Sequence, residues 1–163
     1  MNIHIDLQLG EGLEEKVIDT LPKLKQFEDW MTITLEKANA HLEKPLFSAE
    51  ISLRIVTTDE SCELNSTYRN KPKPTNVLSF ESDLPSFVES DYLGDLVICA
   101  EVVANETKEQ KKKLMSHWAH MLAHGVLHLL GFDHIDDHDA EIMETLEIKI
   151  LNQLGIDDPY TNV

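Results

Sequence analysis

The spacing of hydrophobic positions changes several times along the chain, and each change marks an element. Residues 3–9 alternate Ile3, Ile5, Leu7 and Leu9 with His4, Asp6 and Gln8, the two-residue period of a half-buried strand. Gly10 and Gly12 interrupt it. After Pro22, a residue suited to a first helical turn, Phe27, Met31, Leu35, Ala38 and Leu42 recur at steps of three and four. That spacing predicts an amphipathic helix to about His41. Alternation returns over 48–56, with Ile51, Leu53 and Ile55 on one face and Ser52, Arg54 and Val56 on the other. Thr57 and Glu60 are spaced as a capping box, opening a helix to about Asn70 that buries Leu64 and Tyr68. The prolines of Lys71-Pro72-Lys73-Pro74 exclude helix there. A short strand at Val77–Phe80, a polar loop at 82–92 and an apolar strand at Asp95–Cys99 follow. Three more helices are predicted, over about 100–111, 115–130, and from Asp136 or Asp137 to Gly155. The last carries the stripe Met143, Leu146, Ile150 and Leu154.

A strand, helix, strand order implies a right-handed crossover and parallel pairing, whereas the two later strands suit an antiparallel pair. The fold expected is α+β: a single domain over residues 1–163, with a mixed four-stranded sheet, about five helices and a zincin-like metal helix. A chain of 163 residues is long enough for its own core. No run of 18 apolar residues is present, so no membrane-spanning helix is expected. The first residues lack the basic and apolar regions of a secretory signal. Cys62 and Cys99 belong to no Cys-x2-Cys unit, which points to a reduced, cytoplasmic protein. The net charge of −16 excludes a protein that clings to nucleic acid over its whole surface. Cations are local: Arg54, Arg69, Lys71 and Lys73 form one group, Lys108 and Lys111 to Lys113 another.

Candidate chemistry centres on residues 124–134, His-Gly-Val-Leu-His-Leu-Leu-Gly-Phe-Asp-His. His124 and His128, four residues apart, share one helix face. Gly131 can end the helix in a left-handed turn that would bring His134 to the same point. Three imidazoles with a fourth position open make a catalytic rather than a closed structural zinc site. The spacing is that of the metzincin proteases, but Gly125 stands where those enzymes carry the Glu that activates water. Losing such a base removes roughly 100- to 10,000-fold in rate, so a peptidase is not the expected activity. His117 and His120 lie on the same helix and read as packing or support rather than ligands, because three nitrogens already suffice. Arg54, on the polar side of a central strand, is either paired with an acid or held for a task.

The chain resembles the YbeY family, metallo-endoribonucleases of ribosomal RNA maturation. Leu64-Asn65-x-x-Tyr68-Arg69, Pro74 to Phe80, Leu93 to Ile98, His117-Trp118-Ala119-His120-Met121, the 124–134 motif and Leu154-Gly155-x-x-Asp158-Pro159-Tyr160 carry the resemblance. It implies one Zn2+ held by His124, His128 and His134, with Arg54 as the catalytic cation. It further implies cleavage of single-stranded RNA, including the 3′ end of 16S rRNA, and work in ribosome quality control. Implied partners are the ribosomal small subunit and ribosomal proteins, with no membrane. Zinc lowers the pKa of bound water toward about 7, and an Arg suits the charge gathering on phosphoryl oxygens. Whether hydroxide or the RNA 2′-OH attacks is open in the sequence. Two alternatives stand beside this reading: a non-catalytic ribosome-assembly factor with a structural metal, and a metallohydrolase of another substrate.

Overall fold

Two parallel strands form the spine of the molecule. In the computed structural model, which describes residues 1–85, 87–133 and 135–160, β1 (Asn2–Leu9) runs parallel to β2 (Ser48–Val56), with Ile5 opposite Ile51 and Gln8 opposite Arg54. The crossover between them contains α1 (Glu15–Ile18), α2 (Leu24–Ala38) and a 3-10 turn at Asn39–His41. β2 pairs in parallel with β4 (Tyr92–Cys99), and β3 (Val77–Glu81) closes the edge antiparallel to β4. The sheet order is β1-β2-β4-β3. α3 (Thr58–Arg69) links β2 to β3, while α4 (Ala100–Gln110), α5 (Leu114–Leu129) and α6 (Asp137–Gln153) follow β4. This is the mixed four-stranded α+β arrangement predicted from the chain's periodicities.

Six helices occur among the described residues, where five were expected. The extra one, α1, is a single turn with no buried residue, so it leaves no apolar period to read. The long helix begins at Leu24 rather than Pro22, with the backbone N–H of Lys23 donating to Gln26 Oε1 at 2.8 Å. Thr57 caps α3 by accepting from the Glu60 N–H, and Asp136 caps α6 by accepting from the Asp139 N–H.

The two faces of the sheet have different partners. Ile51, Leu53, Ile55, Leu96 and Ile98 are fully buried with Phe27, Met31 and Leu35 of α2 and Trp118, Leu122 and Val126 of α5. Each such aliphatic side chain contributes about 1.5–3 kcal/mol through burial. On the opposite face Val56, Leu78, Val97 and Cys99 pack with Leu64 of α3. α6 lies on α5 and α2 through Met143, Leu146 and Ile150 against Leu127, Ala123 and Ala38. No described helix is long and apolar enough to cross a membrane.

A candidate metal centre at the edge of the sheet

α5 carries its histidines along β3, an edge strand. The close approach has a local cause. Gly125 has no side chain, and a Cβ there would stand 2.8 Å from Leu96 Cδ2 and 3.2 Å from Val77 Cγ2. The Gly125 carbonyl accepts from Ser79 Oγ at 3.2 Å, tying helix to strand. At its end α5 closes with Gly131 at φ +95°. The Gly131 N–H donates to the His128 carbonyl and the Phe132 N–H to the Leu127 carbonyl, the paired bonds of a left-handed helix stop.

His124 and His128 meet at their Nε2 atoms, 3.1 Å apart. Two nitrogens bound to one tetrahedral zinc at its usual bond length would stand about 3.3 Å apart. On its far side His124 donates from Nδ1 to Glu147 Oε1 at 2.6 Å. A carboxylate only accepts, so the His124 proton sits on Nδ1 and its Nε2 lone pair points toward His128. His134, the third ligand expected from the motif, lies outside the described residues.

His120, His124 and Glu147 form a second grouping that could hold a metal ion, with ligand atoms within 4.8 Å of one another. The two groupings share His124. The contacts to Glu147 are 2.6 Å from His124 and 2.7 Å from His120. These are charge-assisted hydrogen-bond lengths, shorter than the separation of two ligands on one ion. His124 thus presents Nδ1 to Glu147 and Nε2 to His128.

Glu147, 1% exposed, reaches this point from α6. Burial alone would push its carboxyl up, but the hydrogen bonds from His120 and His124 hold it well below the usual carboxylate range. The Tyr160 hydroxyl donates to the same carboxylate. Burial and that negative neighbour keep the phenol protonated, above its ordinary range. His117 is buried and meets Glu106 Oε1 at 3.0 Å. Burial lowers its pKa, against the opposing pull of Glu106. His117 and His120 thus lie inside the helix packing, each against a carboxylate.

Two cavities flank β3. One of about 560 Å³ is lined by His124, His128, Asn76, Ser79 and Arg69. The other, about 690 Å³, lies against α3 and is lined by Arg54, Glu60, Tyr68 and Tyr92. Phe80 and Glu81 line both. Arg54 therefore does not share the histidine cavity. It stands on the α3 face of β2, where Nε meets Glu60 Oε2 at 2.5 Å and Nη2 meets Oε1 at 3.0 Å. The arginine brought to the histidines is Arg69, the last residue of α3. Its Nη2 donates to the Ser79 carbonyl at 2.9 Å, its Nη1 to the Tyr68 carbonyl at 3.2 Å, and its guanidinium lies 5.0 Å from the Phe80 ring centre. Two of five N–H groups are so used, and no carboxylate pairs with Arg69 among the described residues.

The chain is similar along nearly its whole length to the solution structure of TM1509 from Thermotoga maritima. Identity is 22%, the TM-score 0.55, and the alignment covers 97% of this chain and 99% of that one. At that identity the likeness speaks for the fold. Function is addressed by the sequence family: residues 13–155 match the model of endoribonuclease YbeY. The histidine helix and the sheet-edge cavity lie inside that span, and the chain belongs to the YbeY endoribonuclease family.

Proposed function

We propose that this protein is a zinc-dependent endoribonuclease that cleaves single-stranded RNA during ribosomal RNA processing, including the 3′ end of small-subunit rRNA. The observation that carries the metal reading is the meeting of His124 and His128 at their Nε2 atoms, 3.1 Å apart, in a cavity that Arg69 also lines. His134 is assigned as the third ligand from the motif. A divalent ion held there would supply Lewis acidity and an activated water. Family membership supports RNA as substrate; the choice of single strands and of rRNA, and association with the ribosomal small subunit, rest on the resemblance of the motifs.

The chain's own residues have separable tasks in this reading. Arg69, anchored on two backbone carbonyls and resting against Phe80, directs its remaining N–H donors at a non-bridging phosphate oxygen. It stabilises the charge that builds there during cleavage, a contribution of the order of 10²–10³ in rate. Arg54 is a weaker candidate for this task because Glu60 already neutralises it. The attacking group is either water or the RNA 2′-OH, and a 2′,3′-cyclic phosphate on the product would identify the latter.

The test is metal analysis of the purified protein coupled to cleavage of a single-stranded RNA, with and without chelator. One zinc per chain and chelator-sensitive, zinc-restored cleavage are expected. A metal-free protein that cuts RNA equally well would refute the proposal. The reading as an assembly factor with a structural metal would replace it if loaded protein cut no RNA and His128→Ala unfolded.

A further inference from the structure

Behind the imidazole pair, three donors converge on one buried carboxylate. Glu147 belongs to the apolar stripe of α6, beside Met143, Leu146 and Ile150. Its Oε1 accepts from His124 Nδ1, and its Oε2 accepts from His120 Nε2 and from the Tyr160 hydroxyl. A carboxylate in such a place is costly unless its lone pairs are met. Here the three donors come from two separate parts of the chain, α5 and the segment after α6. Tyr160 arrives last, on the segment after α6. That segment is secured by the Ile156 N–H on the Leu151 carbonyl at 2.8 Å and by Lys112 Nζ on the Pro159 carbonyl at 3.4 Å. The Tyr160 ring also meets the His120 ring edge to face, with centres 5.7 Å apart.

We propose that Glu147 is a positioning residue for the metal centre, and that the C-terminal segment completes the centre through Tyr160. By accepting from Nδ1, Glu147 fixes the tautomer and plane of His124, so that Nε2 offers its lone pair toward His128. Tyr160 and His120 hold the second oxygen and stop the carboxylate from turning away. Metal retention would then depend on a hydroxyl far along the chain from the ligands. The inference rests on the reading of His124 as a ligand given above. A purely structural network is the competing account, in which the three donors only satisfy a buried charge. That account predicts altered fold stability and unaltered metal binding.

Full-length wild type, Glu147→Gln and Tyr160→Phe would be stripped of metal and titrated with Zn2+ against a chromophoric chelator at fixed pH. Thermal melts of the metal-free forms and visible spectra of the Co2+ forms would be recorded beside them. Glu147→Gln is expected to bind zinc about 10- to 100-fold more weakly and to shift the Co2+ bands. Tyr160→Phe, which removes one hydroxyl from a side chain that is 43% exposed, should weaken binding about three- to tenfold with an unchanged metal-free melt. Affinities and Co2+ spectra equal to wild type in both variants would overturn the inference while leaving the zinc reading intact. Wild type that takes up no zinc would overturn both. If Glu147→Gln fails to fold, Tyr160→Phe decides alone on the same criterion.

Discussion

Gly125→Ala is the sharpest probe of how the fold holds the centre. In an exposed helix the change would stabilise by about 1 kcal/mol, the propensity difference between the two residues. In α5 the new Cβ would lie 2.8 Å from Leu96 Cδ2, where ordinary contact begins at 3.4 Å, so something must move by about 0.6 Å. Leu96 is fully buried and has no solvent to swing into. Overpacking of this kind costs about 1–3 kcal/mol, which sets the net effect at about 0–2 kcal/mol of destabilisation. The functional effect should exceed the thermodynamic one. Gly125 adjoins His124, and its carbonyl is tied to Ser79; backing α5 away from the sheet moves both imidazoles relative to Arg69. Misplacement by 1 Å costs up to about 10²-fold, so a loss of the order of tenfold in kcat is expected. Urea denaturation and RNA cleavage by the zinc-loaded variant measure the two quantities. A variant about 1 kcal/mol more stable than wild type, with full activity, would refute the packing argument. For the same reason Gly125→Glu should not create a peptidase: its carboxylate would be forced between Leu96 and Val77 as an unpaired buried charge.

The other predictions are simpler. Arg69→Ala should change stability by less than about 0.5 kcal/mol, as surface substitutions do, yet lower kcat by about 10²-fold or more. Arg54→Ala should have the smaller catalytic effect, and the reverse order in a cleavage assay would return the catalytic role to Arg54. Adding zinc to metal-free protein at about a hundred times its Kd should stabilise it by about 2.7 kcal/mol, or roughly 5–10 °C in Tm. His128→Ala should abolish that shift, and a variant that keeps it would remove His128 from the ligand set. Acid sensitivity of the metal-free protein should include a share from His117, faced by Glu106, His120 and Lys112. Because burial holds its folded pKa below the ordinary 6.5, its contribution is complete above that pH and is lost as the pH falls through it. The slope from this one group is at most about 1.4 kcal/mol per pH unit. Denaturant titrations at pH 7 and 5.5 test this, with a flatter dependence expected in His117→Gln; the same dependence in both proteins would contradict it.

What the sequence disclosed follows from the range of each signal. Strand alternation and helix periodicity are local, and they led to the four strands, the five longer helices and the mixed pairing. A one-turn helix such as α1 buries nothing and so has no pattern. His124 and His128 were legible because both ligand candidates ride on one turn of one helix. Glu147 was not, since its partners come from α5 and from the tail. It did leave a trace: an acid at 147 interrupts the stripe Met143, Leu146, Ile150 on the buried side of α6. A charge on an apolar face must meet something, and the helix packed there is the histidine helix.

Arg54 shows what a local reading leaves open. Alternation along β2 placed it on the face opposite Ile51, Leu53 and Ile55, and the structure agrees. The apolar face is the one that α5 must cover, because a helix rich in Trp118, Leu122 and Val126 buries itself only against apolar residues. A cation on the other side of an interior strand therefore cannot face histidines on α5 without passing through the sheet, and β2 has β1 and β4 on either side. Only at an edge can groups from both faces meet. β3 is that edge, and Arg69 leaves the end of α3 beside it and binds the Ser79 carbonyl. The strand order, a property of the whole fold, is what places Arg69 and not Arg54 in the lining of the histidine cavity. The paired Arg54→Ala and Arg69→Ala measurements accordingly test the topology of the site as much as the chemistry of either side chain.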